Sequence, residues 1–368
     1  MTELPDWNTF SSGPRPGAEL KRRPEDFRVE EIADHDFSGG EHLILKLRKR
    51  GLTTVEAVRR LSTALGISRK RIGFAGRKDR RAVTVQYVSV RGLEAEQLEG
   101  LELDGISVES VGRNGYISPG QLRGNRFEIR LRDLDSDLEG YLERTFDELD
   151  GVFPNYFGPQ RFGSPRPVTH RVGREMLRGD WEEAVWTYIA FPEGESGERK
   201  DIRTGLWSSR DPGEAVRKLE DSMKYERMMA EHLRDRPGDY TGAVRRLPSS
   251  LQRLFIHAYQ SWVFNRALSG LLSEGWSGGT IPLPGYRTSF RDREQDRRVE
   301  DIMDNEGIDL DDFRTLEIED LREEGDHREG FAEYRDLGYE PEGSELGISF
   351  TLSKGVYATS FLREIVKF

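Results

Sequence analysis

The chain has 368 residues, with 56 Lys and Arg against 67 Asp and Glu and no cysteine. That length predicts one large or two medium domains, and the lack of thiols excludes disulfides and thiolate metal sites. No apolar run approaches a membrane span and no signal segment opens the chain, which predicts a soluble, cytoplasmic protein.

The net charge of −11, taken whole, argues against a polyphosphate partner, because binding phosphates needs positive potential. Its distribution reverses that reading. Residues 1–130 carry 23 basic and 19 acidic residues, a net of +4. From Lys46 to Arg81 there are 13 basic residues against Glu56 and Asp79 alone, a belt of the kind a phosphate-binding face requires. With 10 Lys against 46 Arg, the acidic, Lys-poor composition also predicts a protein adapted to high intracellular salt, where net charge aids solubility.

In chain order, the opening is rich in Pro, Gly and Ser and is expected to be loosely ordered through residue 19. Phe27 to Ile32 and His42 to Leu47 alternate as half-buried strands. Thr53 or Thr54 can cap a helix whose apolar face is Val55, Val58, Leu61 and Leu65, ending at Gly66. Val83 to Val90, Ile106 to Val111 and Phe127 to Leu131 read as further strands. Helical texture follows, including one long amphipathic helix over Ser249 to Glu274. Arg291 to Glu340 is dense in charge and predicts short helices and loops. A strand near Leu346 to Leu352 and a helix from about Tyr357 close the chain. The fold class is α+β: a mixed, mainly antiparallel sheet domain carrying a helix-rich insertion.

The most unusual segment runs from Gly73 to Thr84, where small residues predict a tight loop entering a strand. One carboxylate, Asp79, stands there among Arg71, Arg77, Lys78, Arg80 and Arg81. On spacing alone, a surface salt-bridge partner is its commoner role. It is not a phosphate loop, since Asp79 takes the place of the Ser or Thr needed after the lysine. His35, His42 and Glu41 lack the spacing of a metal site.

Five segments change the weighting of Asp79. Gly76 to Gln86 (GRKDRRAVTVQ), Lys21 to Glu30 (KRRPEDFRVE), Gly124 to Phe127 (GNRF), Pro154 to Gly163 (PNYFGPQRFG) and Leu352 to Glu364 (LSKGVYATSFLRE) resemble, in order, the motifs of the TruD family of pseudouridine synthases. The resemblance implies the pseudouridine synthase fold, with a catalytic domain of residues 20–153 plus 341–368 and an inserted domain of residues 154–340. It implies that Asp79 is the catalytic carboxylate of an isomerase that turns a uridine, at position 13 of tRNA, into pseudouridine without a cofactor or metal. It places Phe27, Phe127 and Tyr357 around the uracil, where the family usually has Phe in place of Tyr357. It puts Asn125 near the aspartate, and Lys21 where it can pair with Asp79 or a phosphate. Arg77, Lys78, Arg80, Arg81 and Arg161 are candidate RNA contacts, although the segment around Arg161 also reads as a structural hinge. The partner implied is tRNA, bound by a monomer. The rival readings are an inactive RNA-binding or RNA-folding protein on the same fold, and a nucleoside N-glycosidase, which also sets carboxylates at a sugar carbon.

Overall fold

The computed structural model describes residues 4–34, 36–135, 138, 140–163 and 166–368. Two compact units emerge: residues 10–153 with 332–368, and residues 4–9 with 154–331. His35 lies outside the described residues.

The strands are β1 (Phe27–Ala33), β2 (His42–Arg50), β3 (Ile72–Phe74), β4 (Val83–Arg91), β5 (Ile106–Asn114), β6 (Leu122–Leu131), β7 (Val152–Pro154), β8 (Thr280–Leu283), β9 (Asp326–Glu329), β10 (Phe331–Glu342) and β11 (Glu345–Ser353). All but β8 and β9 join one sheet in the order β5-β2-β4-β1-β6-β11-β10-β7, with β3 also beside β4. Only β1 and β4 pair in parallel among the registers established; β2–β4, β2–β5, β3–β4, β1–β6, β6–β11 and β10–β11 are antiparallel. The fold is therefore α+β with a mainly antiparallel sheet, as the strand pattern predicts.

Alternation decides what each sheet face carries. On β1, Phe27, Val29 and Glu31 are buried while Arg28 and Glu30 are exposed. On β2, Leu43, Leu45, Leu47 and Lys49 point into the core. Helix α1 (Thr54–Ala64) covers part of this face, with a capping box in which Thr53 and Glu56 satisfy each other's backbone N–H. The cap sets the helix phase. Thr54, Ala57, Val58 and Leu61 face inward, whereas Val55, expected on the apolar face, is 44% exposed. Helix α2 (Tyr141–Leu149) and the short C-terminal helix Ala358–Leu362 add Leu142, Leu149 and Phe361 to the core around Phe127 and Phe350.

In the other unit, the helix Ser249–Ser273 is central rather than amphipathic, with Phe255, Ile256, Tyr259, Val263 and Phe264 all fully buried. Helix Thr169–Leu177 packs on it so closely that a Cβ on Gly173 would meet the Phe255 carbonyl oxygen at 2.0 Å. Among the described residues no helix is long and apolar enough to cross a membrane.

Two expectations fail for identifiable reasons. Within Arg291 to Glu340, expected as short helices and loops, lie β9 and most of β10. On β10 the inward residues are Ala332 and Tyr334, then Leu337 and Tyr339, because a bulge between Arg335 and Gly338 flips the parity. The bulge breaks the alternation that would betray a strand. The opening segment is also tied down rather than loose. In one unit, Asn8 donates to the Ser269 hydroxyl and carbonyl at 2.9 and 2.8 Å and Trp7 is buried. In the other, the Phe10 and Ser11 N–H groups both donate to the buried Glu364 carboxylate.

Candidate active site

Asp79 lies on the loop between β3 and β4, and side-chain hydrogen bonds fix that loop from three directions. Thr54, the first residue of α1, accepts the Lys78 N–H at 2.8 Å and donates its hydroxyl to Gln86 at 2.8 Å. The Gln86 amide returns to the loop at the Gly76 carbonyl, 3.2 Å away. Gln86 is fully buried on β4, so the last residue of the segment Gly76 to Gln86 is a brace for its first. From β2, the Lys49 ammonium donates to the Asp79 carbonyl at 2.7 Å and the Leu52 carbonyl at 2.6 Å.

The carboxylate itself is left partly open. Lys21 Nζ donates to Asp79 Oδ2 at 2.5 Å, with side-chain exposures of 16% for Lys21 and 38% for Asp79. Oδ1 has no hydrogen-bond partner among the described residues. Lys21 holds φ at 60°, a left-handed conformation that costs a non-glycine residue about 1–3 kcal/mol. Its ammonium also lies 3.9 Å from the centre of the Phe27 ring, a cation–π contact.

Phe27 and Phe127 meet edge to face at 6.1 Å, as expected for neighbours brought together by the β1–β6 pairing. Both are buried in the core of this unit, and Phe27 touches the Lys21 ammonium at its edge. Behind Phe127 stacks Phe350 of β11 at 5.2 Å. Tyr357 is half-buried at the N-terminal end of the C-terminal helix, where its carbonyl accepts the Ser360 N–H. Asn125 is two residues from Phe127 on the same face of β6. Its preceding Gly124 admits the β11 backbone, since a Cβ there would meet the Leu352 carbonyl oxygen at 2.2 Å.

The five candidate RNA contacts separate into different roles. Lys78 turns inward: its side chain is 8% exposed, with Nζ 3.1 Å from the buried Glu31 carboxylate and bonded to Asn125 Oδ1. It is thus a structural cation, unavailable to a phosphate. Because ammonium only donates, this contact also fixes the Asn125 amide with its oxygen toward Lys78, leaving Nδ2 as the free donor. Arg80 pairs with Glu56 at 2.9 Å. Arg77 and Arg81 are exposed, with no ion-pair partner among the described residues. Arg161, in the other unit, lies over the Phe157 ring at 5.2 Å and its Nε lacks a hydrogen-bond partner. His42 sits edge to face against Tyr116 at 5.9 Å.

Three residues escaped the sequence reading: Glu31, Lys49 and Thr54. The signal for the first two was parity, because Glu31 continues the inward series Phe27, Val29 and Lys49 continues Leu43, Leu45, Leu47. A charge at an inward position needs an ion-pair or hydrogen-bond partner, and the partners of both, Lys78 for Glu31 and the carbonyls for Lys49, converge on one loop.

A cavity of about 620 Å³ lies elsewhere in this unit, on the solvent face of the sheet between Arg28, Arg126, Arg130 and Glu340. None of Asp79, Lys21, Asn125 or Phe127 lines it. Two of its arginines have carboxylate partners: Arg126 with Glu128 at 4.0 Å and Arg130 with Glu345 at 2.9 Å.

Comparison with known proteins finds relatives over nearly the whole length of the chain. The family model for tRNA pseudouridine synthase D (TruD) matches residues 8–279 and 277–365. A protein of Archaeoglobus fulgidus designated "Probable tRNA pseudouridine synthase D" is 36% identical, covering 97% of both chains. One of Methanopyrus kandleri with the same designation is 37% identical over 95% of this chain and 92% of its own. The crystal structure of the Methanosarcina mazei protein designated "Putative tRNA pseudouridine synthase D (TruD)" superposes with a TM-score of 0.81 at 31% identity, covering 100% of this chain and 99% of the other.

Proposed function

The chain belongs to the tRNA pseudouridine synthase D (TruD) family, and from that premise we propose that it isomerises a uridine of tRNA to pseudouridine with Asp79 as the catalytic carboxylate. The observation that carries the reading is the state of Asp79: its backbone is clamped, one carboxylate oxygen is held by Lys21, and the other has no hydrogen-bond partner among the described residues. A group positioned this way enters reaction with little reorganisation.

The chemistry asks for little else. The uracil–ribose bond breaks, the base turns, and the same sugar carbon rejoins the base through carbon. The product is an isomer of the substrate, so no group donor or electron acceptor enters the balance. One carboxylate, acting as nucleophile or as base, can serve both halves.

The target uridine must leave its stack, at a cost of a few kcal/mol. The motif resemblance sets Phe27 and Phe127 around the uracil, and contact between a base and an aromatic ring offsets ~1–3 kcal/mol of that cost. Asn125 Nδ2 offers a hydrogen bond to a uracil carbonyl, with its orientation set by Lys78 and Glu31. Arg77 and Arg81 supply phosphate contacts beside the loop, and Arg161 a further one in the other unit. Position 13 of tRNA is the site the motif resemblance supports.

The test is incubation with unmodified tRNA and no added cofactor, followed by carbodiimide and reverse-transcription mapping. One new stop at a D-arm uridine is expected, with no free uracil. Release of uracil with an abasic site would instead identify a glycosidase. Retained tRNA binding without any stop would identify an RNA-binding protein that does no chemistry.

A further inference from the structure

Lys49 ends the inward stripe of β2 and is fully buried. A buried ammonium is costly unless its donors are satisfied. No carboxylate lies within ion-pair distance of it among the described residues. Its bonds go to carbonyls: Leu52 at 2.6 Å, Asp79 at 2.7 Å and, more weakly, Lys78 at 3.4 Å. A methionine would fill this apolar stripe without the desolvation cost. What the ammonium adds is a grip on the peptide units of Lys78 and Asp79 from outside their loop.

We propose that Lys49 is a positioning residue for the isomerisation, its ammonium tying the Asp79 loop to the turn between β2 and α1 so that the carboxylate holds its aim as RNA enters. The proposal rests on the reading of Asp79 as the catalytic carboxylate. The loop is held by Thr54 and Gln86 on one side and by Lys49 on the other. Removing one brace should leave the loop folded but less exact, and a 1 Å misplacement can cost about 100-fold in rate.

The charge of Lys49 is also within experimental reach. Burial pushes its ammonium down from 10.5 to about 8; Asp79 draws it back up, Lys78 opposes it, and Glu56 of α1 favours it weakly. Its β4 and β5 neighbours across the sheet, Thr84 and Ile106, carry no charge. Between pH 8 and 10.5 the folded chain releases a proton at Lys49 that the unfolded chain keeps. The Lys49 contribution to stability therefore rises with pH over that window. Deprotonation removes the charge that strengthens the bonds to the Leu52 and Asp79 carbonyls and one of the three donors. The clamp therefore weakens over the same window, so rate and stability should move in opposite directions, which a purely structural lysine would not produce.

The chain contains no cysteine, so Lys49→Cys can be alkylated at that position alone with bromoethylamine in denaturant and refolded, restoring an ammonium on a side chain of lysine length. Lys49→Cys and Lys49→Met should form pseudouridine about 100-fold more slowly at saturating tRNA, with tRNA Kd little changed. Aminoethylation should recover at least tenfold of that loss. The wild-type single-turnover rate should fall as pH rises through about 8, with Kd flat. Variants as fast as wild type, or an aminoethylated protein no faster than Lys49→Cys, would overturn the clamp. If the variants do not refold, a wild-type rate that stays level from pH 7 to 9.5 overturns it alone. An inactive wild type would overturn the isomerase reading, and the clamp with it; an active wild type indifferent to Lys49 would overturn only the clamp.

Discussion

The segments Gly76 to Gln86 and Pro154 to Gly163 carry comparable signatures, each with at least one glycine, one arginine and one amide, yet they spend their polar groups differently. In the second, Asn155 and Phe157 commit theirs to fixing the segment, while Arg161 keeps an unpaired Nε. Asn155 donates its main-chain N–H to the Gly330 carbonyl and its amide to the Glu329 carbonyl, while its carbonyl groups accept from Arg328. Phe157 exchanges two bonds with Asn265, 2.9 and 3.0 Å long. In the first, a network of Thr54, Gln86, Lys49, Lys78 and Glu31 fixes the loop, and Asp79 Oδ1, Asn125 Nδ2, Arg77 and Arg81 have no partner among the described residues. Chemistry needs groups that are held but not satisfied, and hydrogen-bond accounting distinguishes them where motif strength does not.

Breaking the network should cost most at its buried ion pair. Glu31→Ala leaves Lys78 buried without a counter-ion and should destabilise the unit by about 3–5 kcal/mol, read as a fall in the urea midpoint. Asn265→Ala strips two bonds from the Phe157 backbone and should cost about 2–3 kcal/mol, while the folded fraction isomerises uridine at near the parental rate. Equal losses of rate in both variants would dissolve the contrast between the two segments.

The unit holding Pro154 to Gly163 should also respond to acid. His170 stacks on Trp262 at 4.5 Å, and burial, with Arg171 and Arg174 nearby, pushes it down from 6.5 to about 3. The unfolded chain takes up this proton first, so the His170 contribution is whole above pH 6.5 and is lost as pH falls toward 3. His170→Phe should flatten that acid limb in thermal melts. The smallest effect belongs to the free cations. Arg77→Gln and Arg81→Gln should each lower the slope of log affinity against log salt by about 1, whereas Arg80→Gln, whose cation already pairs with Glu56, should change it less.

Much of this was legible in the sequence. Alternation gave β1, β2, β4 and β11, and the motif resemblance brought Lys21, Phe27, Asp79, Asn125 and Phe127 to one site. What was hidden depended on parity or on charge read without depth. Lys78 looked like a phosphate ligand because its neighbours are arginines, yet the loop turns it onto Glu31. The β10 bulge concealed a strand, and the opening segment looked loose because its acceptors, Glu364 and Ser269, lie more than 250 residues away in sequence.

The central claim is that Asp79 does chemistry and that the rest of its loop keeps it in place. It is tested most directly by Asp79→Asn, measured on one preparation for tRNA affinity and for pseudouridine formed per tRNA. The account predicts an unchanged melting temperature, affinity close to wild type, and a rate reduced by about 10⁴-fold or more. Pseudouridine formed by the variant at a rate near the parental one, with the fold intact, would contradict it.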